Sequence, residues 1–156
     1  MLENKIKSVI EKLKKEFLTD TRPWVVTFSG GKDSTTVLQL VTEMLLELRM
    51  DNIDTKKVYI VSSDTGVEMP VIEDYTTNKL TQIDKFIKKE KLNMEVNLLK
   101  PKVTESFWTL LLGKGYPSPN QSFRWCTDRM KIKPATNFLK LPAEENLLFL
   151  PHGNVA

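Results

Sequence analysis

Apolar positions recur along this chain with two periods, and the period changes at turn residues. Over Glu3–Leu18, Ile6, Val9, Ile10, Leu13 and Phe17 share one stripe while lysines cover the other face, which predicts an amphipathic helix. Asp20–Pro23 reads as a turn, and Trp24–Phe28 is an apolar run of strand type. From Thr36 to about Arg49 the apolar positions Val37, Leu38, Leu40, Val41, Met44, Leu45 and Leu48 cover more than one face, so this helix is expected to pack centrally on a sheet. Lys57–Ser62 has the continuous apolar character of a buried parallel strand. A third helix is expected over Val71–Lys89, with Ile72, Tyr75, Leu80, Ile83, Phe86 and Ile87 facing the core. Val96–Leu99 follows as a strand ended by Pro101, and Phe107, Trp108, Leu110 and Leu111 mark a short core helix. After a turn-rich loop over Gly113–Asn120, Leu147–Leu150 is the last expected strand. Strands alternating with helices predict an α/β three-layer sandwich around a mainly parallel, doubly wound sheet of four or five strands.

Composition narrows the class without choosing a function. The 156 residues suffice for one core, with residues 1–22 as an N-terminal helix and 23–156 as the body of the domain. A formal net charge of +3 is compatible with nucleotide or nucleic-acid ligands and requires neither. The lysine face of the first helix reads better as a solvated surface than as a DNA contact. No apolar run approaches the roughly 18 residues that cross a membrane, and the charged N-terminus is not a signal peptide. Cys126 is the single cysteine, so no intrachain disulfide forms and a reducing, cytoplasmic location is expected.

The chemistry concentrates first in Ser29-Gly30-Gly31-Lys32-Asp33-Ser34, which links the first strand to the second helix. Adjacent glycines allow a tight turn and a close approach of backbone to ligand. The helix start that follows carries unpaired N–H groups and the positive end of a dipole, which together favour a phosphate. Ser29, Ser34 and Thr35 add hydroxyls, and Lys32 adds a positive charge. The spacing excludes the G-x-x-x-x-G-K-[ST] loop, because Asp33 follows Gly31-Lys32, and G-x-G-x-x-G is absent.

A second loop, Ser62–Glu68, closes the second strand at the same end of the sheet, where ligands of open parallel sheets bind. Asp64 there is a candidate for a ribose hydroxyl or a magnesium ion. Thr65 with Glu68 reads first as a capping box for the next helix and second as a ligand contact. The third stretch, Phe123–Pro134, gathers Arg124, Arg129, Lys131 and Lys133 around one aromatic residue and the thiol of Cys126. Four cations there suit polyphosphate or a nucleic-acid backbone. Cations beside a thiol favour the thiolate, the form that attacks sulfur or ligates metal; a buried, inert cysteine is the alternative.

Ser-Gly-Gly-Lys-Asp-Ser resembles the PP-loop of the ATP pyrophosphatase superfamily. With Ser63-Asp64-Thr65, and Arg124-Trp125-Cys126-Thr127 followed by Lys131 and Pro134, the order of motifs resembles the phosphoadenylyl-sulfate reductase group of that superfamily. Phe28–Thr35, Gly113–Pro117 and Phe123–Thr127 are similar within it to the DndC family, the sulfurtransferases of DNA phosphorothioation, over about Pro23–Phe138. The resemblance implies an adenine nucleotide alpha hydrolase-like fold and cleavage of ATP to AMP and pyrophosphate while sulfur enters the DNA backbone. It implies Ser29, Gly30, Gly31, Ser34 and Thr35 on the β,γ-phosphates, Lys32 on the charge developing there, Asp33 or Asp64 on magnesium, and Arg129, Lys131 and Lys133 on the α-phosphate or acceptor. Asp64 and Thr65 belong to the nucleotide site on this reading, with Lys32, Asp33 and Lys131 catalytic. Implied partners are ATP, DNA and other phosphorothioation proteins, including a cysteine desulfurase. An iron–sulfur cluster is implied with Cys126 as a ligand, but such a cluster usually takes about four thiolates. The segment after Leu150 does not match the Gly-x-Arg segment of the wider family, and the expectation is the nucleotide-binding part of a longer protein. Two alternatives stand beside it. One is a phosphoadenylyl-sulfate reductase or sulfate adenylyltransferase relative, the reductase needing a tail cysteine that Ala156 closes without. The other is a non-catalytic nucleotide-binding module of a complex.

Overall fold

The structure is a computed structural model, and it describes residues 2–140 and 148–150. Helix α1 (Leu2–Thr19) leads through a turn into β1 (Trp24–Thr27), then α2 (Lys32–Met50), β2 (Val58–Ser63), α3 (Pro70–Lys89) and β3 (Met94–Leu99). A 3₁₀ turn (Val103–Glu105) and a π-helical turn (Thr109–Gly113) follow. Helix α4 (Trp125–Thr127) runs through a second π-turn (Asp128–Ile132) into α5 (Lys133–Lys140). Strand β4 (Leu148–Leu150) completes the sheet; Leu147 and the residues after Leu150 lie outside the described residues.

All strand pairs are parallel, in the order β3-β2-β1-β4. The pleat sends Trp24, Val26, Phe28, Val58, Ile60 and Met94 to one face, where they meet α1, α2 and α3 in the main core. Val25, Tyr59 and Val61 alternate with them, and α5 lies against β2 and β3 on that second face, with Phe138 edge-on to Tyr59 at 5.7 Å. These are the two faces of a doubly wound sheet. The chain moves from β1 to β2 to β3 in one direction, then returns to the far side of β1 for β4, so the direction reverses at the carboxyl end of β1.

Two expected core stripes are only half used. In α1, Ile10 and Phe17 are buried, but Ile6 and Val9 are exposed, since among the described residues α2 is the main helix that α1 packs against. In α3, Leu80 and Ile87 are buried while Ile72, Tyr75 and Phe86 are exposed. Length explains the N-terminal part: twenty helical residues rise about 30 Å, whereas the six-residue strands beside them span about 20 Å. The first turns of α3 therefore project past the sheet. The apolar group at 107–111 is helical and buries Leu110 as expected, in a second core cluster with Trp125 and Met130 that is separate from the first, but Trp108 is exposed.

Helices α2 and α3 end in the same hydrogen-bonded stop. After α2, Asn52 N donates to Arg49 O and Ile53 N to Leu48 O; after α3, Lys91 N donates to Lys88 O and Leu92 N to Ile87 O. The motif needs a left-handed residue, filled by Asn52 at φ 55° and Lys91 at φ 48°. Lysine carries a steric cost there that glycine does not. Lys91→Gly is expected to stabilise the fold by about 0.5–1 kcal/mol, read as a higher urea midpoint at unchanged slope.

The turn between α1 and β1 is held by charge. Lys56 Nζ donates to Asp20 Oδ1 at 2.7 Å and lies 4.7 Å from the centre of the Phe17 ring; Arg22 Nε donates to Asp20 Oδ2 at 2.6 Å. The Lys56 ammonium, followed by Arg22, lowers the Asp20 carboxyl to about 2. A carboxyl lowered in the folded state adds stability that is complete above its unfolded value near 4 and is lost as pH falls through the folded value. Asp20→Asn is expected to lower the melting temperature at neutral pH, with the gap from wild type closing toward about pH 2. Thermal melts across that range check it.

Candidate nucleotide site

At the switch point, β1 ends and the chain turns through Ser29-Gly30-Gly31 into α2. Gly30 stands at φ 75°, and a methyl group there would lie 3.2 Å from Thr76 Oγ1 and 3.5 Å from the Tyr75 ring. Both the conformation and the approach of α3 therefore require glycine. Gly31, the N-cap of α2, is extended at φ −78° and ψ 165°, and no side chain caps this end. The first amides of α2 thus face outward without a protein acceptor from a capping side chain, next to the positive end of a nineteen-residue helix.

The loop's hydroxyls brace it. Ser34 is buried; its Oγ donates to Gly31 O at 3.0 Å and accepts from Ser29 N at 3.3 Å. Thr35 Oγ1 also donates to Gly31 O, at 2.8 Å. Sequence reasoning set these hydroxyls toward phosphate; the structure spends them on shaping the turn and leaves the amides for an anion. Lys32 and Asp33 are exposed in the first turn of α2.

A crevice of about 660 Å³ opens beside this loop. Thr27, Phe28 and Ser29 bring β1 to it, and Val61 to Asp64 bring β2. The projecting turns of α3 supply Ile72, Glu73 and Thr76, Leu98 comes from β3, and Lys131, Ile132 and Leu139 form the wall opposite. Its body is apolar and its rim is charged. Thr27 Oγ1 is buried without a hydrogen-bond partner among the described residues.

Of the residues singled out from sequence, Ser29, Asp64 and Lys131 line this crevice together. Asp64 Oδ1 accepts from Gly66 N at 2.9 Å and Oδ2 pairs with Lys100 Nζ at 2.8 Å. The Lys100 ammonium holds the Asp64 carboxyl below the usual carboxylate range. Thr65 is buried and donates to Glu68 Oε1 at 3.2 Å, but no capping box forms: α3 starts later, with Met69 at its N-cap and Pro70 at its first position. Arg129 and Lys133 turn elsewhere, both to Glu105 Oε1, at 3.1 and 2.6 Å. Lys100, Glu73 and Glu105 were missed from sequence; their signal was position, since Lys100 directly follows β3 at the ligand end of the sheet.

The thiol stretch is organised around Trp125. Its ring stacks on Phe107 at 5.4 Å, meets Tyr116 edge-on at 5.3 Å, and its Nε1 donates to Pro117 O at 2.9 Å. Cys126 is half-buried against this cluster and borders a separate hollow of about 260 Å³ with Arg124 and Thr127. Among the described residues no group of three or more His, Cys, Asp or Glu side chains is placed to hold a metal ion. One thiol does not fit a four-iron cluster. Magnesium takes one or two carboxylates together with substrate phosphates; Asp33, exposed in the first turn of α2, fits that use better than Asp64, whose two oxygens are already engaged. Among the described residues no helix is long and apolar enough to cross a membrane.

The parallel sheet, whose first strand turns through Ser-Gly-Gly into an uncapped helix at the switch point, and the family match over residues 23–148 place the protein in the PP-loop ATP pyrophosphatase superfamily. Residues 23–148 match the phosphoadenosine phosphosulfate reductase domain, and the chain belongs to that family. It is 31% identical over 139 residues to the uncharacterized protein MJ0973 of Methanocaldococcus jannaschii, covering 89% of this chain and 28% of that one. It is 28% identical over 143 residues to MJ0066 of the same organism, covering 92% and 24%. The chain thus spans about a quarter of the length of these curated relatives. Two solved structures share the fold. The U34-tRNA thiolase NcsA from Methanococcus maripaludis, with its [4Fe-4S] cluster, has a TM-score of 0.51 at 19% identity over 94% of this chain and 46% of its own. The NAD+ synthetase from Burkholderia pseudomallei has a TM-score of 0.52 at 14% identity over 97% and 60%.

The two glycines are expected to differ under substitution. Gly30→Ala meets both an unfavourable φ and Thr76, and is expected to cost about 1–2 kcal/mol. Gly31→Ala is expected to be near neutral, since the nearest atom to an added methyl is Ser29 Oγ at 3.6 Å. Urea unfolding of the two variants checks the contrast.

Proposed function

We propose that this chain is the nucleotide-binding part of an enzyme that splits ATP into AMP and pyrophosphate to activate an acceptor for sulfur transfer. The observation that carries the reading is the uncapped start of α2 opening beside a crevice that Lys131 lines from the opposite wall. In it the Ser29–Gly31 turn and the amides up to Thr35 hold the β,γ-phosphates, and Lys32 offsets charge developing on the departing pyrophosphate. Lys131 faces the α-phosphate. Arg129 and Lys133 join it only by exchanging Glu105 for the ligand. Asp33 supplies a carboxylate for magnesium, whose chemistry is to neutralise the phosphate oxygens. Asp64 reaches the ribose, with Thr65 behind it holding Glu68. No step is routed through Cys126.

The acceptor in this reading is nucleic acid. The Phe123–Thr127 segment and the Gly113–Pro117 loop support DNA backbone phosphorothioation as the particular reaction, with a cysteine desulfurase as sulfur donor. Exposed Phe123, Arg124, Lys114 and Trp108 suit a phosphate backbone and stacked bases. The tRNA acceptor of the NcsA thiolase is the competing nucleic acid.

Incubation with magnesium and ATP labelled at the α-phosphate, with and without DNA or tRNA, tests the proposal. Labelled AMP is expected, reduced at least about 100-fold by Lys32→Ala. ADP as product would overturn it. Bound ATP without turnover would favour a non-catalytic module instead.

A further inference from the structure

Resting on the ATP reading above, we infer that this crevice selects an adenine nucleotide with free ribose hydroxyls and rejects one carrying a second phosphate on the ribose, with Glu68 and Glu73 as the specificity-determining residues. The anion site lies at one corner, where the Ser29–Gly31 turn meets the start of α2. The rest of the wall on the β2 and α3 side carries three carboxylates, Asp64, Glu68 and Glu73, and among the described lining residues Lys131 on the opposite wall is the one ammonium. Lys100, its side chain largely exposed, pairs with Asp64 at 2.8 Å. Glu68 is held in place by the Thr65 hydroxyl at 3.2 Å.

A nucleotide anchored by its polyphosphate at the loop extends its ribose and base into this cavity. Carboxylates accept hydrogen bonds from ribose hydroxyls at the ends of parallel strands. A phosphate at the same place meets like charge from Glu68 and Glu73 at the mouth of the crevice. The nucleotide that names the family, phosphoadenosine phosphosulfate, carries such a phosphate. The rim of this crevice is therefore built for a different member of the adenine nucleotides than the family name suggests.

Titration calorimetry of the full chain with ATP, with AMP and with adenosine 3′,5′-bisphosphate tests the inference. Wild type is expected to prefer AMP by at least about tenfold. The Glu68→Gln/Glu73→Gln double variant, checked for folding by circular dichroism, is expected to narrow that preference below about threefold. Equal or tighter binding of the bisphosphate by wild type would overturn the inference, as would a preference that survives in the double variant. Bisphosphate affinity lost on Lys100→Ala would overturn it too, by placing the ribose phosphate on that lysine. Binding of neither AMP nor ATP would overturn the proposed function along with it, whereas the other outcomes leave that function standing.

Discussion

The rest of the structure depends on the position of β1. It is the strand paired on both sides before and after the chain reverses direction, to β2 along one edge and β4 along the other. Its chain leaves through a tight turn and enters α2 within a few residues, and Gly30 at φ 75° makes that turn. The candidate anion site follows from that turn: Gly31 stands at the N-cap and has no side chain with which to cap the helix. The geometry that closes the core is therefore also the geometry that leaves amides for a ligand.

Charge is distributed around this centre by pairing more than by exposure. The positive side chains of the Phe123–Pro134 stretch read as one cluster in the sequence. In the structure Glu105 takes Arg129 and Lys133, and its carboxyl is lowered first by Lys133 and then by Arg129. Lys131, between them, is left to the crevice. On the other wall Lys100 takes Asp64. Each pair is partly open to water and adds little to stability by itself. What the pairs do is decide which charges a ligand meets.

Much of the fold was legible because it rests on local periodicity. The strand-helix alternation, the parallel sheet and the helix after the glycine turn all follow from spacing, and their ends fall within a few residues of expectation. The glycine turn was legible for a related reason, since its function is in its backbone. The missed parts depend on what stands opposite. Nothing in the pattern of α3 shows that Ile72 and Tyr75 overrun the sheet, because that is set by the length of the neighbouring strands. Nothing near Arg129 shows Glu105, 24 residues away. Trp125 beside Cys126 suggested chemistry, and its ring proves to be the centre of a small core.

The π-turn at Asp128–Ile132 has a consequence for how this wall tolerates change in length. A π-turn holds one residue more than the α-helical turn it replaces. Arg129 and Lys133 face Glu105 while Lys131 faces the crevice, so the turn works as a phase setter for the helix beyond it. Loss of a single residue there would let the wide turn close to an α-helical one, because five residues of π-turn advance around the axis by about as much as four α-helical residues. The helix beyond would keep its facing, and Lys133 its place beside Glu105. In a lineage of such proteins, this wall could thus gain or lose one residue at the turn without redirecting α5.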